Sequence, residues 1–202
     1  MKLYFSPGAC SLVPHILLRE TGLPFALERV DLGTHKTEHG VDYYTITPMG
    51  QVPLLELEDG QQLSQGPVMA QYICDRAGRD DLMPPAGTMA RYRVMEWQNY
   101  ITSELHKSFS PLFNPAFDSA AKKVFVDGLR KKFGWVSEQL RGKQYLSGDS
   151  FTAADAYLFI VAGWSKYVGL DLSGCEHLQA FLNRVAQRPA VREAMKAEGL
   201  SA

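Results

Sequence analysis

Cys10 is the residue of this chain best placed for nucleophilic or redox chemistry. It lies in the segment YFSPGACSLVPHILLRETG, after a strand-like run and Pro7-Gly8 and before an apolar helical pattern. The first N–H groups of a helix are unpaired and carry positive partial charge, which stabilises a thiolate and lowers the pKa of a cysteine placed there. An inert buried cysteine fits the position equally well. The Pro7-Gly8 loop, which keeps the thiol at the surface, favours the reactive alternative.

The other cysteines and the histidines predict neither a disulfide framework nor a metal site. Cys10 is followed by Ser11-Leu12-Val13, so the chain has no C-x-x-C pair there and a disulfide partner must come from another molecule. Cys74 and Cys175 have no activating neighbours and are predicted to be packing residues. Three widely spaced cysteines are typical of a reducing compartment, and we expect a cytoplasmic protein. The five histidines show no metal-ligand spacing with the cysteines.

Two short segments carry weaker indications of a binding site. Val52-Pro53 opens a predicted strand, where a proline marks either the first residue of the strand or a cis bond, and the residues alone favour the trans opener. The segment SQGP, Ser64 to Pro67, precedes a predicted helix whose N–H groups can hold a carboxylate. Taken alone, SQGP is better interpreted as a turn and N-cap.

Asn99, Ser103 and His106 follow the spacing i, i+4, i+7 and are predicted to share one face of a long helix. A polar outward face is usually only solvated. Beside a reactive thiol, however, His106 and Lys107 would supply positive charge and hydrogen-bond donors.

Residues 1–79 alternate strand and helix patterns and predict a mixed four-stranded sheet covered by helices. Asp59-Gly60 is a strong hairpin signal between the third and fourth strands. The predicted elements are the strand KLYFS, a helix from about Cys10 to Gly22, the strand FALERVDL, the hairpin VPLLELEDGQQLS and the helix GPVMAQYICDRAG.

Residues 80–87, rich in Asp, Pro and Gly, are interpreted as a linker to an all-helical domain over residues 88–202. Val94, Trp97, Ile101 and Leu105 make one apolar stripe in that domain. The segment AYLFIVAGW is far shorter than the ~20 residues that span a bilayer, so it is interpreted as a buried helix. Thr152-x-x-Asp155 just before it is a capping box that starts this helix.

Composition excludes several classes of function. The net charge of −1 argues against nucleic-acid binding, because that affinity comes from clustered Lys and Arg. The one basic cluster, residues 122–132, is interrupted by apolar residues at helical spacing and is interpreted as a solvated face. The N-terminus lacks the apolar core of a signal peptide, and we expect no membrane association.

Five segments together resemble the bacterial beta-class glutathione transferases, and the likeness extends over essentially the whole chain. They are SPGACSL, DYYTITPMGQVPLLELEDG, LSQGPVMAQYI, YITSELHKSFSPLF and FTAADAYLF. The resemblance implies a thioredoxin-like first domain, a helical-bundle second domain, a homodimer, and glutathione as co-substrate without a metal.

The resemblance also implies roles for individual residues. Cys10 corresponds to the family's cysteine that faces the glutathione sulfur, with His106 as a second catalytic group. Val52 corresponds to the residue whose backbone pairs with glutathione, Pro53 to the cis-proline, and Gln65-Gly66 to the pair that receives the γ-glutamyl carboxylate. The remaining glutathione-binding candidates are His35, Lys36, Asn99, Ser103, Glu104 and Lys107.

Two positions depart from the family pattern. The family often has Glu where this chain has Gln65, and Lys where it has His35. We expect conjugation of glutathione to small electrophiles, with thiol-disulfide exchange or peroxidase activity through Cys10. The alternatives are a non-catalytic binding protein on the same scaffold and a glutathione-dependent reductive dehalogenase.

Overall fold

A five-stranded mixed sheet organises the first of two structural units in the computed structural model, which describes residues 1–200. This unit comprises residues 1–83 together with the chain from Gln187 onward, and residues 84–186 form the second unit. The strand order is β3-β2-β1-β4-β5, and only β1 and β2 are parallel. The strands are β1 Lys2–Phe5, β2 Ala26–Asp31, β3 Lys36–Thr37, β4 Leu54–Glu56 and β5 Gln62–Ser64.

The sheet has one strand more than the four predicted. The additional strand, β3, has two residues, which pair antiparallel with Val30 and Asp31. Two residues are too few to show an alternating apolar pattern, so the sequence carried no period to detect. The predicted hairpin is confirmed: Leu55 pairs with Leu63, and Gly60 adopts a φ of +82° in a turn closed by the Leu57 N–H and the Gln61 carbonyl.

Two helices of the first unit begin and end close to the predicted residues. Helix α1, Leu12–Thr21, has Pro14 in its first turn, where a missing N–H costs nothing, and Gly22 caps it at φ +69°. Helix α2, Gly66–Ala77, is capped by Gly78 in the same way. Its buried residues are Met69, Ala70, Ile73 and Cys74. Val68 is exposed, so the buried face of α2 begins one residue further along the helix, at Met69.

A third helix of this unit comes from near the other end of the chain. Helix α8, Pro189–Ala197, packs against α1, and its Val191 and Ala194 are fully buried. The predicted division had placed this segment with the helical domain. Its apolar spacing predicts a helix correctly, but the period says nothing about which neighbour covers the apolar face.

The second unit, residues 84–186, is helical, in agreement with the sequence pattern. Within the described residues of this unit its helices are α3 Met89–Tyr100, a π-helix Ile101–His106, α4 Lys107–Phe113, α5 Ser119–Gln139, α6 Ala153–Gly163 and α7 Glu176–Ala186. Helix α6 is buried along almost its whole length, as the uncharged segment predicted. None of the helices in residues 1–200 combines the length and the apolar character needed to cross a membrane.

Asp155 forms the predicted capping box at the start of α6 and also binds the loop before this helix. Its Oδ2 accepts hydrogen bonds from the Thr152 N–H and hydroxyl, each at 2.8 Å, and its Oδ1 accepts the Leu146 N–H at 2.8 Å. Burial raises the pKa of Asp155 to about 6, although these three donors oppose the shift. The carboxylate thereby fixes both the start of α6 and the loop before it.

The basic residues of α5 form a solvated face, as predicted. Lys123 and Arg130 both pair with Asp127 on the same helix, at 2.5 and 2.7 Å. Lys132 reaches the π-helix, where its Nζ lies 3.0 Å from a carboxylate oxygen of Glu104.

Candidate active site

The loop from Ser6 to Ser11 connects β1 to α1 and carries Cys10. The Ser11 hydroxyl closes this loop, since its Oγ accepts the Ser6 N–H at 3.1 Å and donates to the Ser6 carbonyl at 3.2 Å. Cys10 is partly exposed, and its thiol donates toward the Val52 carbonyl at 3.5 Å. The loop therefore brings the predicted cysteine and the predicted Val52-Pro53 segment together.

A buried carboxylate at the C-terminal end of α8 binds the backbone of the same loop. Glu198 Oε2 accepts the Gly8 N–H at 3.0 Å, and Glu198 Oε1 lies 2.8 Å from Nδ1 of His15. The side chains of His15 and Glu198 are both fully buried. Because Arg19 Nε donates to Nε2 of His15 at 3.0 Å, that nitrogen is the acceptor and His15 Nδ1 carries the proton given to Glu198.

The pKa of Cys10 is shifted in the direction opposite to the one expected from the sequence. Burial raises the pKa of Cys10 to about 11, and the N–H groups of Cys10 and Ser11 lower it by less. These amides lower the pKa, as predicted. The partly enclosed sulfur, however, loses more solvation free energy than the amide hydrogen bonds restore. The prediction of a stabilised thiolate is therefore wrong for the unliganded protein, in which Cys10 is a thiol at neutral pH.

The Val52-Pro53 peptide bond is cis. The trans opener favoured by the residues alone is therefore wrong, whereas the cis-proline implied by the family resemblance is present. Pro53 is buried directly before β4, and Val52 packs against a core cluster that includes Tyr4, Val30 and Tyr43.

Gln65 and Gly66 stand at the start of α2, where the backbone turns sharply. Gln65 has a φ of +71°, unusual for a residue with a side chain, and its carbonyl accepts the N–H groups of Val68 and Met69. The Gln65 side chain is exposed and makes no capping hydrogen bond. Gln65 thus occupies the N-cap position of the predicted turn without a side-chain capping bond, and its side chain is exposed beside the helix N-terminus.

His35 lies in a strained turn before β3. Its φ is +51°, and its ring stacks on Tyr44 with centroids 4.5 Å apart. The buried Nδ1 of His35 has no hydrogen-bond partner. Gly50 makes this stack possible, because a Cβ there would lie 2.5 Å from the Tyr44 ring. Lys36, the next residue, is exposed on β3.

In the helical unit, Asn99, Ser103 and His106 do not share one exposed face, contrary to the prediction. Asn99 and Ser103 are exposed, but His106 is partly buried, with Nδ1 2.7 Å from the Tyr157 hydroxyl. The π-helix Ile101–His106 causes the difference, since its wider turn rotates the residues that follow it relative to α-helical spacing. This interruption has no signature in the apolar pattern.

The expected positive charge at His106 is also absent. Burial, and then the neighbouring Lys107 charge, lower the pKa of His106 to about 4. The imidazole is therefore neutral at pH 7. Lys107 is exposed, and the Lys132 ammonium holds the pKa of the exposed Glu104 carboxyl below its usual value.

Aromatic side chains surround His106 within the helical unit. Trp164 meets the imidazole edge-on at 4.7 Å between centroids, and Phe109 packs against Trp164 at 5.6 Å. Tyr157, Phe109 and Trp164 are buried, whereas Phe113 is 52% exposed. Phe113 is thus the solvent-facing member of this aromatic group.

Comparisons with known proteins agree with this architecture. Residues 8–76 match the family model described as glutathione S-transferase, N-terminal domain, and residues 100–189 the corresponding C-terminal domain. Glutathione S-transferase GstA of Escherichia coli O157:H7 is 46% identical over 200 residues, which cover 99% of this chain and all of that protein. This chain belongs to the glutathione S-transferase family.

Solved structures place it among the bacterial members. The beta-class glutathione S-transferase of Sphingomonas chungbukensis superposes with a TM-score of 0.96 at 44% identity, covering all of both chains. A sphingomonad glutathione S-transferase complexed with glutathione superposes with a TM-score of 0.95 at 43% identity, again covering both chains fully.

Three residues of this glutathione S-transferase that contact the cysteine loop or support it have no motif that marks them in the sequence. Ser11 closes the cysteine loop, and His15 and Glu198 support it. His15 occupies an apolar stretch of α1, and a histidine in such a stretch indicates a buried polar partner without naming it. Glu198 pairs with residues more than 180 positions away, which no local pattern reveals.

One group of potential metal ligands lies outside the transferase site. Oxygen or nitrogen atoms of Glu28, Glu38 and His39 lie within 4.8 Å of one another. His39 Nδ1 is already bound to Glu28 at 2.8 Å, and Glu38 accepts the Arg29 N–H at 2.8 Å. The group is satisfied as a surface ion pair with a backbone contact.

Proposed function

We propose that this enzyme binds glutathione along the cysteine loop, β4 and the start of α2, and joins the glutathionyl group through its sulfur to small electrophiles. The thiol of glutathione loses its proton, the sulfur forms a bond to an electrophilic carbon, and the leaving group departs with the bonding electrons. The observation that carries the proposal is the 3.5 Å approach of the Cys10 thiol to the carbonyl of Val52, before a cis-proline. A thiol peptide in extended form would meet both groups there.

The backbone around Val52 is the proposed partner of the cysteinyl part of glutathione. Gln65 and Gly66 are the proposed receivers of the γ-glutamyl carboxylate, supported by the exposed Gln65 side chain at the N-terminus of α2. His35 and Lys36 are proposed to bind the glycyl carboxylate. The unpartnered Nδ1 of His35 and the exposed Lys36 support this assignment.

Cys10 is proposed to have two roles. As a thiol it donates a hydrogen bond and can stabilise a neighbouring glutathione thiolate during conjugation. As a nucleophile it attacks oxidised glutathione: its thiolate forms a mixed disulfide, one glutathione leaves as thiolate, and a second glutathione later reduces the adduct. Because the pKa of Cys10 is raised to about 11, this exchange is expected to be slow at neutral pH.

The helical unit is proposed to contribute His106 as a second catalytic group, with Asn99, Ser103, Glu104 and Lys107 as polar contacts. We further propose a cytoplasmic homodimer, in which some of these contacts serve the partner subunit's glutathione. The exposure of Asn99 and Ser103 supports a partner from outside their own unit. Size-exclusion chromatography with light scattering should give twice the 22.5 kDa chain mass.

The aromatic group of Phe109, Phe113, Tyr157 and Trp164 supports an apolar, aromatic electrophile. Such a substrate gains aromatic contact with Phe113, the exposed ring of this group. An aryl halide is therefore the first substrate to assay.

The decisive experiment compares the wild type with Cys10→Ser, using Cys175→Ser as the matched cysteine control. We expect both variants to bind glutathione in calorimetry and to conjugate it to an aryl halide. Incubation with oxidised glutathione should add one glutathionyl mass to the wild type and to Cys175→Ser, but none to Cys10→Ser.

The remaining outcomes separate the alternatives. Lost conjugation in Cys10→Ser with retained glutathione binding would refute the separation of the two roles. A wild type that binds glutathione but neither conjugates nor gains an adduct would be a binding protein. Release of halide from a halogenated aromatic with net consumption of two glutathiones would identify a reductive dehalogenase.

A further inference from the structure

Tyr157 and His106 form a closely fitted pair inside the helical unit. Nδ1 of His106 lies 2.7 Å from the Tyr157 hydroxyl oxygen, and the two rings meet edge-on with centroids 5.9 Å apart. Tyr157 is only 5% exposed, and Trp164 packs against the imidazole edge-on. The ring orientation is therefore defined, with Nδ1 toward α6.

The chemistry of the two groups determines the direction of their hydrogen bond. His106 is neutral at pH 7, because the pKa of its imidazole is lowered to about 4. A neutral imidazole carries one proton, on either Nδ1 or Nε2. A phenol is a stronger acid than the imidazole N–H, and an imidazole nitrogen is a stronger base than a phenol oxygen. The favoured arrangement is thus Tyr157 O–H donating to Nδ1, which leaves the proton on Nε2.

We infer that Tyr157 is a positioning residue that keeps His106 in the tautomer protonated at Nε2. Where His106 acts on glutathione, which rests on the proposed function, this tautomer offers a hydrogen-bond donor and no base. A donor stabilises a thiolate once formed, but it cannot remove the proton from the thiol. The proton of glutathione therefore passes to solvent, and His106 stays neutral throughout.

The surrounding charges leave this assignment intact. Lys107, the next residue along the chain and the first of α4, disfavours a second proton on the ring. From α5, Lys132 is paired with Glu104 of the π-helix at 3.0 Å. From α6, Asp155 is engaged with Thr152 and Leu146. Tyr157 is therefore the group in hydrogen-bond contact with Nδ1.

Nitrogen-15 NMR of the imidazole rings tests the tautomer directly and requires no glutathione. The His106 signals are assigned by their loss in His106→Ala. In the wild type at pH 7 we expect Nε2 to appear protonated and Nδ1 unprotonated. In Tyr157→Phe the two nitrogens should move toward each other, because both tautomers become populated. A wild type protonated at Nδ1, or an unchanged spectrum in Tyr157→Phe, would overturn the inference.

The functional consequence is measured in the glutathione complex. The thiolate absorbance, followed against pH, gives the pKa of bound glutathione. Tyr157→Phe should raise that pKa and lower kcat/KM about fivefold, the effect of one lost hydrogen bond. Tyr145→Phe is the matched control, since Tyr145 is buried in the same unit and packs on Phe151 and Phe181. It should leave both quantities unchanged.

A double variant separates positioning from general damage to the fold. In the His106→Ala background, Tyr157→Phe should have no further effect on the pKa of bound glutathione, because its route through the imidazole is gone. An equal effect in both backgrounds would contradict the role of Tyr157. If wild-type glutathione shows no lowered pKa, the proposed activation by His106 fails, while the NMR result still decides the tautomer.

Discussion

At the scale of single residues, solvation decides what Cys10 and His106 can do at neutral pH. Both groups are displaced from their ordinary acidity, the thiol upward to a pKa of about 11 and the imidazole downward to about 4. In both cases burial is the largest cause and disfavours the charged form. The free enzyme therefore holds a neutral thiol and a neutral imidazole.

Alkylation of Cys10 should accordingly be slow and strongly pH-dependent. In a Cys175→Ser background, the rate of reaction with iodoacetamide at pH 7.5 should be about two orders of magnitude below that of free cysteine. It should continue to rise with pH beyond 9, since the thiolate fraction does. Intact mass spectrometry over a pH series measures this rate. A plateau reached near neutral pH would show that the amides of the loop outweigh burial.

The acidity of His106 makes a second prediction about stability. Its pKa in the folded protein is below the unfolded value of about 6.5, so the unfolded chain binds more protons between pH 4 and 6.5. The contribution of His106 is present above pH 6.5 and is lost as the pH falls through about 4. Urea unfolding should thus show a shallower rise of the unfolding free energy from pH 4 to 6.5 in His106→Gln than in the wild type. Equal slopes would mean that the ring protonates freely.

At the scale of elements, the cysteine loop depends on α8 as much as on its own sequence. Glu198 holds the Gly8 amide and His15 at once, and Leu200 lies within van der Waals contact of a Cβ placed at Gly8. The His15 side chain is fully buried and Gly8 is partly buried, so removing the carboxylate costs each of them a hydrogen bond.

Glu198→Ala should therefore destabilise the protein by about 2–4 kcal/mol, because the buried His15 donor loses its acceptor and the Gly8 amide loses this hydrogen bond. Glu193→Ala is the matched control on the same helix. Its carboxylate is exposed and pairs with Arg19 at 3.4 Å, a contact that contributes less than about 1 kcal/mol. Chemical denaturation of both variants measures the difference. Similar losses of unfolding free energy in the two variants would contradict the role of Glu198 as a buried acceptor.

The elements were largely predictable because their signals are local. Pro14 marks the first turn of α1 and Gly22 marks its end, and Asp59-Gly60 marks the hairpin. The π-helix Ile101–His106 and the two-residue strand β3 have no comparable period, so the orientation of His106 and the fifth strand could not be predicted. Cys10, Val52-Pro53 and His106 could be singled out from local patterns, and the resemblance over the whole chain suggested their roles. Burial of the Cys10 sulfur and the Glu198 contact depend on tertiary packing and could not be predicted.

At the scale of the whole molecule, the first unit is assembled from two distant parts of the chain. Residues 1–83 supply the sheet, and the chain from Gln187 onward supplies α8. Arg188 also pairs with Glu20 of α1 through two contacts of 2.7 and 3.0 Å. The sheet and its first helix therefore lack part of their packing without the later segment.

Deleting the chain from Gln187 onward should abolish glutathione binding and leave the sheet unit unfolded. Val191 and Ala194 would no longer cover α1, and His15 would lose its acceptor. Hydrogen exchange should show lost protection in residues 1–83 and retained protection in α6. Adding a peptide of residues 187–202 should restore binding in part. Full binding by the truncated protein would contradict the dependence on α8.

This arrangement also has a consequence during biosynthesis. Gly8 and its carboxylate partner are 190 residues apart, so the cysteine loop emerges from the ribosome long before Glu198 is translated. Until then α1 packs against α2 but lacks α8, and the first unit cannot reach its final state. The order in which the ribosome delivers these segments therefore makes the thiol site complete only late in synthesis, and a polypeptide released before Glu198 carries the Cys10 sulfur without this support.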